Sequence, residues 1–310
     1  MSSINTNASA MTALQSLAAT NKNLNITQGR ISTGLRVAEA SDNAAYWSIA
    51  TTMRSDNKAN SVIQDALGLG AAKVDTAYTA INKSIDVVDQ IKEKVLLAKT
   101  SSAEDRKKIQ SEIDTYVAQL KDNIAGANYA GSNLLQTDST STSDTKLTVM
   151  TSYNRSSTGD VTTGTIDVDF GNTRLIDSNT AKKGILDNAG AKSGTSILDI
   201  DVTDVTGVTG HDATDEGASF DKILTDIEKA LGSMATGAAE LGAAKSRIDM
   251  QKDFVSKLSD SIDRGVGQLV DADMNKESTR LQALQVQQQL GIQALSIANS
   301  NSQSILSLFR

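Results

Sequence analysis

The chain has 310 residues, 39% hydrophobic but only 3% aromatic, with no proline, no cysteine and a net charge of −7. Without cysteine, disulfides, thiolate chemistry and the usual zinc ligands are excluded. Average proline usage of about 5% would supply roughly fifteen, so their absence leaves long helices uninterrupted.

The negative charge is local. Residues 137–217 hold thirteen acids against six bases, while the rest of the chain balances. No basic face therefore recommends a nucleic acid as partner. The first cation is Lys22, so the start lacks the basic region of a secretory signal. No stretch approaches the eighteen or so apolar residues of a membrane span. The expectation is a cytoplasmic protein, or one that leaves by a route needing no cleaved signal.

In chain order, Leu14, Leu17, Asn21, Leu24, Gln28, Ile31 and Leu35 alternate spacings of three and four. That pattern predicts a coiled-coil seam with two polar members. Gly29 and Gly34, with Ser32 and Thr33, predict an irregular connector near residues 33–45. Tyr46 and Trp47 then read as packing residues at the head of an apolar helix. A second seam runs Val74, Ala77, Ile81, Ser84, Val88, Ile91, Val95, Ala98, and "TSSAEDRKK" stops it. Ser101 with Glu104, or Ser102 with Asp105, is suited to cap the next helix. Ile109, Ile113, Tyr116, Leu120 and Ile124 lie along one side of that helix, and "ANYAGSNLL" closes the first half.

The acidic middle changes character to Ser, Thr, Asp and Gly. "KLTVM", "TIDVDF" and "SILDIDVTDV" alternate apolar and polar residues, the period of half-buried strands. Helix returns near Phe220, with a seam of Ile248, Val255, Leu258, Ile262 and Leu269 that Gly265 and Gly267 interrupt. Leu281, Leu284, Gln288, Gly291, Leu295, Ala298, Ser302, Ile305 and Phe309 then keep heptad spacing. The fold class expected is mainly α: helical hairpin or coiled-coil layers built from both chain ends, with a small strand-containing outer segment between them.

Both ends are free of charge, over residues 1–21 and 281–309, and rich in Asn, Gln, Ser and Thr. Burying a partnered amide is tolerable, whereas burying an unpaired charge is prohibitive. Such helices suit enclosure on all sides, which a lone monomer cannot provide and a polymer can. The closing "QSILSLFR", with Ile305, Leu306, Leu308 and Phe309, either docks on its own core or is buried in another molecule. The charge-free ends favour the second.

Catalytic constellations are not evident. His211 has neither a cysteine to activate nor a second histidine to share a metal, so a solvated loop is the expectation. Asp199, Asp201 and Asp204 lack the spacing and glycine of a calcium loop and read as a solvated strand face. "GLGAAK" at 68–73 lacks the third glycine of a dinucleotide loop. The expectation is a non-enzyme without cofactor or metal.

The mirrored layout and its motifs resemble bacterial flagellin. "INTNASAMTALQSLAATNKNLNITQGRISTGLRVAEASDNAAYWSIA" is similar to the family's amino-terminal signature, with Ile31, Ser32, Thr33, Gly34, Leu35 and Arg36 at its Leu-Ser-Ser-Gly-Leu-Arg-type turn. "ANYAGSNLL" resembles the family's Phe-Asn-Gly-x-x-Leu-Leu motif, and Ser246 to Arg310 resembles its closing helix. Two segments depart from the pattern, Asp42–Tyr46 and Glu93–Lys99. The resemblance therefore does not imply, for this chain, the immune recognition that many flagellins undergo at these segments.

The resemblance implies a flagellar filament subunit for swimming motility, extracellular and exported without a cleaved signal. Its partners would be itself, related flagellins, the export apparatus and chaperone, and the cap and hook-junction proteins. It implies an inner-tube layer, D0, from residues 1–45 and 262–310. A helical layer, D1, would comprise 46–136 and 218–261, with 137–217 as a variable outer segment. The two end seams, with Leu306 beside Ile305 and Phe309, would carry self-assembly. A hook–filament junction protein, or another secreted helical protein with flagellin-like ends, is the alternative.

Overall fold

The computed structural model describes residues 7–141, 145–156, 158–212 and 215–308, the last eight without their side chains. Five α-helices make up most of it: α1 (Ala8–Thr33), α2 (Ala44–Lys99), α3 (Ala103–Gly126), α4 (Glu216–Val270) and α5 (Met274–Leu308). The fold is mainly α, as the spacing of apolar residues predicts. The chain divides into two compact units, one from residues up to Lys58 with those from Ser259 onward, the other Ala59–Leu258.

In the Ala59–Leu258 unit, α2, α3 and α4 enclose a continuous apolar core. All eight members of the seam from Val74 to Ala98 are fully buried. Ile109, Ile113, Leu120 and Ile124 line the buried side of α3, with Val117. Tyr116 packs partly buried beside them. Ser102 caps α3, its hydroxyl accepting from the Asp105 amide at 3.3 Å, which satisfies one orphan donor of the first turn. Arg106 ties three helices together. Its Nε donates to the Ala98 carbonyl at 3.0 Å, Nη1 pairs with Glu216 at 2.8 Å, and the guanidinium lies 4.9 Å from the Phe220 ring centre.

"ANYAGSNLL" forms a tight hairpin of β1 (Asn128–Tyr129) and β2 (Ser132–Asn133). Its two turn residues, Ala130 and Gly131, have φ of 51° and 82°, as a primed turn requires. The Asn133 side chain donates to the Ile124 carbonyl at 2.6 Å and accepts from the Leu135 amide at 2.9 Å. Strand β3 (Gln136–Thr137) runs parallel to β6 (Ile176–Asp177), and β4 (Lys146–Arg155) pairs antiparallel with β5 (Val161–Asp169). Two of the three expected strands are therefore present. "GLGAAK" lies inside α2, and its Gly70 makes room for β4: a Cβ there would sit 2.7 Å from both Val149 methyls.

The third expected strand, "SILDIDVTDV", is instead a short 3₁₀ helix at Ile197–Asp199 followed by turns. Ile197, Ile200, Val202, Val205 and Val208 are buried, so the apolar positions are right and the backbone is different. The aspartates explain it. Asp201 accepts from the Thr203 amide at 2.7 Å, and Asp204 from the Thr206 amide at 2.9 Å. Such local side-chain bonds compete with strand ladders. Asp199 accepts from the Ser196 hydroxyl, so the three aspartates occupy turns and not a strand face.

Buried carboxylates also organise the middle. Asp226 of α4 accepts from the Ser193 amide at 2.6 Å, the Ser193 hydroxyl at 2.7 Å and the Lys192 amide. Burial by itself would raise the Asp177 carboxyl. Donors from Ser139, Asn179 and Lys183 outweigh that and hold it well below the usual carboxylate range.

Candidate self-assembly surface

The other unit is built on a pair of helices. Asn7 caps α1, its Oδ1 accepting from the Ala10 amide at 3.1 Å. Its Nδ2 donates to the Ala298 carbonyl at 2.9 Å. At the far end Gly34, with φ of 72°, returns its amide to the Arg30 carbonyl, a left-handed cap that glycine adopts without strain. The Asn21–Gln288 and Arg30–Glu277 contacts, with Asn7–Ala298, make α1 and α5 antiparallel neighbours. Gly34–Asn43 is the irregular connector that its glycine and hydroxyl residues predict. Leu35 bridges to Asp271 there and packs against Val37, Ala50, Val266 and Val270.

The second end seam faces its partner helix as its spacing predicts. Leu284 is buried, and Leu281, Gln288, Gly291, Leu295 and Ala298 are half-buried. In the first seam, Leu17, Asn21, Leu24 and Ile31 turn inward. Leu14 and Gln28 face outward instead, and Thr27 is the buried residue beside Leu24. An α-helix drifts by about 20° per heptad from a strict 3.5-residue repeat, which displaces the inward row to a neighbouring position. Ile305 and Leu306 lie on α5 but their side chains fall outside the description, and Phe309 lies outside the described residues.

Gly265 and Gly267 do not interrupt α4, which continues to Val270. Gly265 sits against α2, where an added Cβ would lie 3.3 Å from the Met53 methyl. Leu258, expected in this seam, is exposed. Tyr46 and Trp47, expected to pack, are also exposed, with Ile49 beside them in the first turns of α2.

The residues that heptad reasoning missed lie outside the seam. Met11 and Ile26 of α1 are exposed like Leu14, as are Val286, Ile292, Leu290 at 57% and Ile297 at 61% of α5. Apolar side chains thus ring α5. A helix apolar all round belongs inside a larger structure. The signal was available in the sequence as Val286, Leu290 and Ile297 off the seam within a charge-free stretch. From Leu281 to Ser300 only amides, hydroxyls and apolar groups meet solvent. Charge returns on the pair at Lys22 of α1 and Arg280 of α5, and nearer the connector Arg30 and Glu277 lie 3.3 Å apart, with Glu277 buried.

Chemical machinery is not gathered anywhere in the described chain. His211 Nδ1 lies 3.0 Å from the Ser219 hydroxyl. Among the described residues no three potential metal ligands converge, and no helix is long and apolar enough to cross a membrane.

Residues 4–140 match the bacterial flagellin N-terminal helical region, and residues 224–309 the bacterial flagellin C-terminal helical region. A flagellin of Brucella melitensis is 57% identical over the whole of both chains. The chain belongs to the bacterial flagellin family. Flagellin C of Rhizobium meliloti is 47% identical, again over the whole of both chains. Among solved structures, one of a flagellar hook-associated protein from Vibrio parahaemolyticus superposes with a TM-score of 0.53. It covers 74% of this chain and 100% of its own at 15% identity, a likeness of fold. The flagellin matches take in both helical ends, so the uncovered apolar faces of α1 and α5 lie within them.

Proposed function

We infer that this chain is the structural subunit that polymerises into the bacterial flagellar filament, the extracellular organelle of swimming motility. One observation carries the reading: a helix pair, charge-free over residues 1–21 and 281–309 and within both flagellin-matching regions, leaves apolar faces that the subunit does not cover. Other copies of the chain cover them. Fully burying one Leu, Ile or Val side chain stabilises by roughly 1.5–3 kcal/mol, and a polymer repeats that gain at every subunit.

The inner layer comprises residues 1–45 and 262–310, the wall layer 46–136 and 218–261, and the outer segment 137–217. Self-assembly falls to both end seams, including Leu14 and Gln28, which stand free of the intrachain contact, and to the tip residues Ile305, Leu306 and Phe309. The role is structural and not catalytic. The subunit passes through the flagellar export apparatus with a chaperone and without a cleaved signal. It meets cap and hook-junction proteins, with related flagellins as co-subunits. The junction-protein alternative rests on a likeness of fold alone, whereas full-length identity lies with flagellins.

Sedimentation and electron microscopy of the purified chain test this. Long filaments are expected, and their loss on deleting residues 1–35 or 281–310, with the Ala59–Leu258 unit still folded. Polymer from either deletion would overturn the assignment of the helix pair.

A further inference from the structure

Gln288 Nε2 donates to Asn21 Oδ1 at 2.7 Å, an amide pair in the middle of the α1–α5 seam. We propose that this pair selects which apolar faces meet inside the subunit and which are left for other copies. The second half of that statement rests on the filament reading; the first does not.

Hydrophobic burial is non-directional, and α5 offers it two faces. Leu281, Leu284 and Leu295 turn inward, while Val286, Leu290 and Ile297 turn outward. Apolar area alone does not choose between them. Rotating α5 by half a turn would bring the outward row against Asn21 and carry Gln288 away. Asn21, half-buried, would then sit in an apolar seam without a side-chain partner, which costs the bond it now makes. A single polar seam residue fixes alignment in this way in coiled coils.

One turn along, Gly291 adds a steric key. A Cβ there would come within 3.1 Å of Leu17 Cδ1, so Leu17 seats only where the glycine faces it. Arg30–Glu277 holds the connector end, nine residues along α1 from Asn21, and the amide pair holds the middle.

The absence of native cysteine makes introduced pairs unambiguous. Leu17→Cys with Gly291→Cys reports the observed faces, because the two Cβ positions are 3.9 Å apart, within disulfide reach. Leu17→Cys with Leu290→Cys reports a turned α5, because Leu17 faces α5 in either arrangement and Leu290 points outward until that helix rotates. Each pair is oxidised in the full-length chain, and non-reducing gels separate intrachain from interchain products.

With Asn21 and Gln288 in place, only the 17–291 pair should give the intrachain product. In the Asn21→Leu, Gln288→Leu background, the intrachain 17–290 product should rise roughly five- to tenfold, the ratio that one such hydrogen bond is worth. The exchange Asn21→Gln, Gln288→Asn keeps two amides and should restore the native pattern. Exclusive 17–291 closure in the leucine background, or loss of it in the exchanged pair, would overturn the proposal. Failure of the unsubstituted chain to pellet would count against the filament reading alone, since the intrachain band is read in either state.

Discussion

The helices of Ala59–Leu258 and the α1–α5 pair share the same three–four spacing, yet they close in different ways. In the first, the whole seam from Val74 to Ala98 is buried within the chain. Charged residues cover the other faces, as in the Lys92–Glu228 pair at 2.6 Å. In the second, half of the apolar residues remain outside, and from Leu281 to Ser300 no charge meets solvent. A helix that finishes folding within its own chain is amphipathic. A helix completed by other copies has no polar back. Charge placement, more than apolar spacing, separates the two.

The largest expected effect comes from breaking the open region only. Leu290→Ser with Ile297→Ser removes two uncovered side chains worth roughly 1.5–3 kcal/mol each when fully buried. The critical concentration for polymerisation should rise by about two to four orders of magnitude. Urea unfolding of the monomeric core should not move. An unchanged critical concentration, measured by sedimentation, would place these residues at a solvent or channel surface.

The converse break lies in the closed region. Ile81 is fully buried, and its Cδ1 lies 3.3 Å from where a Cβ on Gly237 would stand. Ile81→Ala should destabilise the core by about 2–5 kcal/mol, read as a lower urea midpoint in the free subunit. A midpoint within error of the unsubstituted chain would contradict the tight packing of that seam.

Legibility in the sequence follows the same division. The seam of α2 was readable to the residue, and that of α5 from Leu281 to Ala298, because in both the strict period coincides with the buried row. In α1 the row drifts, so that Thr27 is buried where Gln28 fits the heptad. Spacing also says nothing about who does the covering: Leu290 looks like any surface leucine until the lack of nearby charge is noticed. "SILDIDVTDV" marked its buried residues correctly. Its backbone was not readable as alternation alone, because Asp201 and Asp204 bind amides two residues on. Gly265 read as an interruption, whereas it marks the close approach of Met53.

A smaller effect concerns acid. The folded pKa of Asp177 lies below its ordinary value of 3.8, so its contribution is present above that value. It is lost as pH falls through the folded pKa. Asp177→Asn would turn an amide N–H₂ towards backbone donors such as the Lys183 amide, 3.1 Å from the carboxylate. At neutral pH this should cost about 1–3 kcal/mol, and the gap to the unsubstituted chain should narrow below the ordinary value. Parallel stability curves from pH 7 down to acid would show that Asp177 is not responsible.

The smallest effect is expected at the turns that neither close a core nor offer an apolar face. Asp199, Asp201 and Asp204 sit beside buried Ile and Val residues; their carboxylates bond locally to Ser196, Thr203 and Thr206, and Asp199 adds only an exposed ion pair with Lys182 at 3.5 Å, of little worth at a surface. Asparagine keeps the carbonyl oxygen that accepts in such turns. The triple Asp→Asn variant, with three fewer negative charges, should therefore stay within about 0.5 kcal/mol of the unsubstituted chain. It should also polymerise at the same critical concentration, because no apolar face changes. Alanine at the same positions removes the acceptors and should cost more, which separates turn geometry from charge. Chelators should leave filaments of the unsubstituted chain unaltered. Filaments that dissolve on chelation, or that fail only in the asparagine variant, would mean the carboxylate charges hold a cation the polymer needs. The acidic segment would then join the helix pair as a region completed by something outside the subunit.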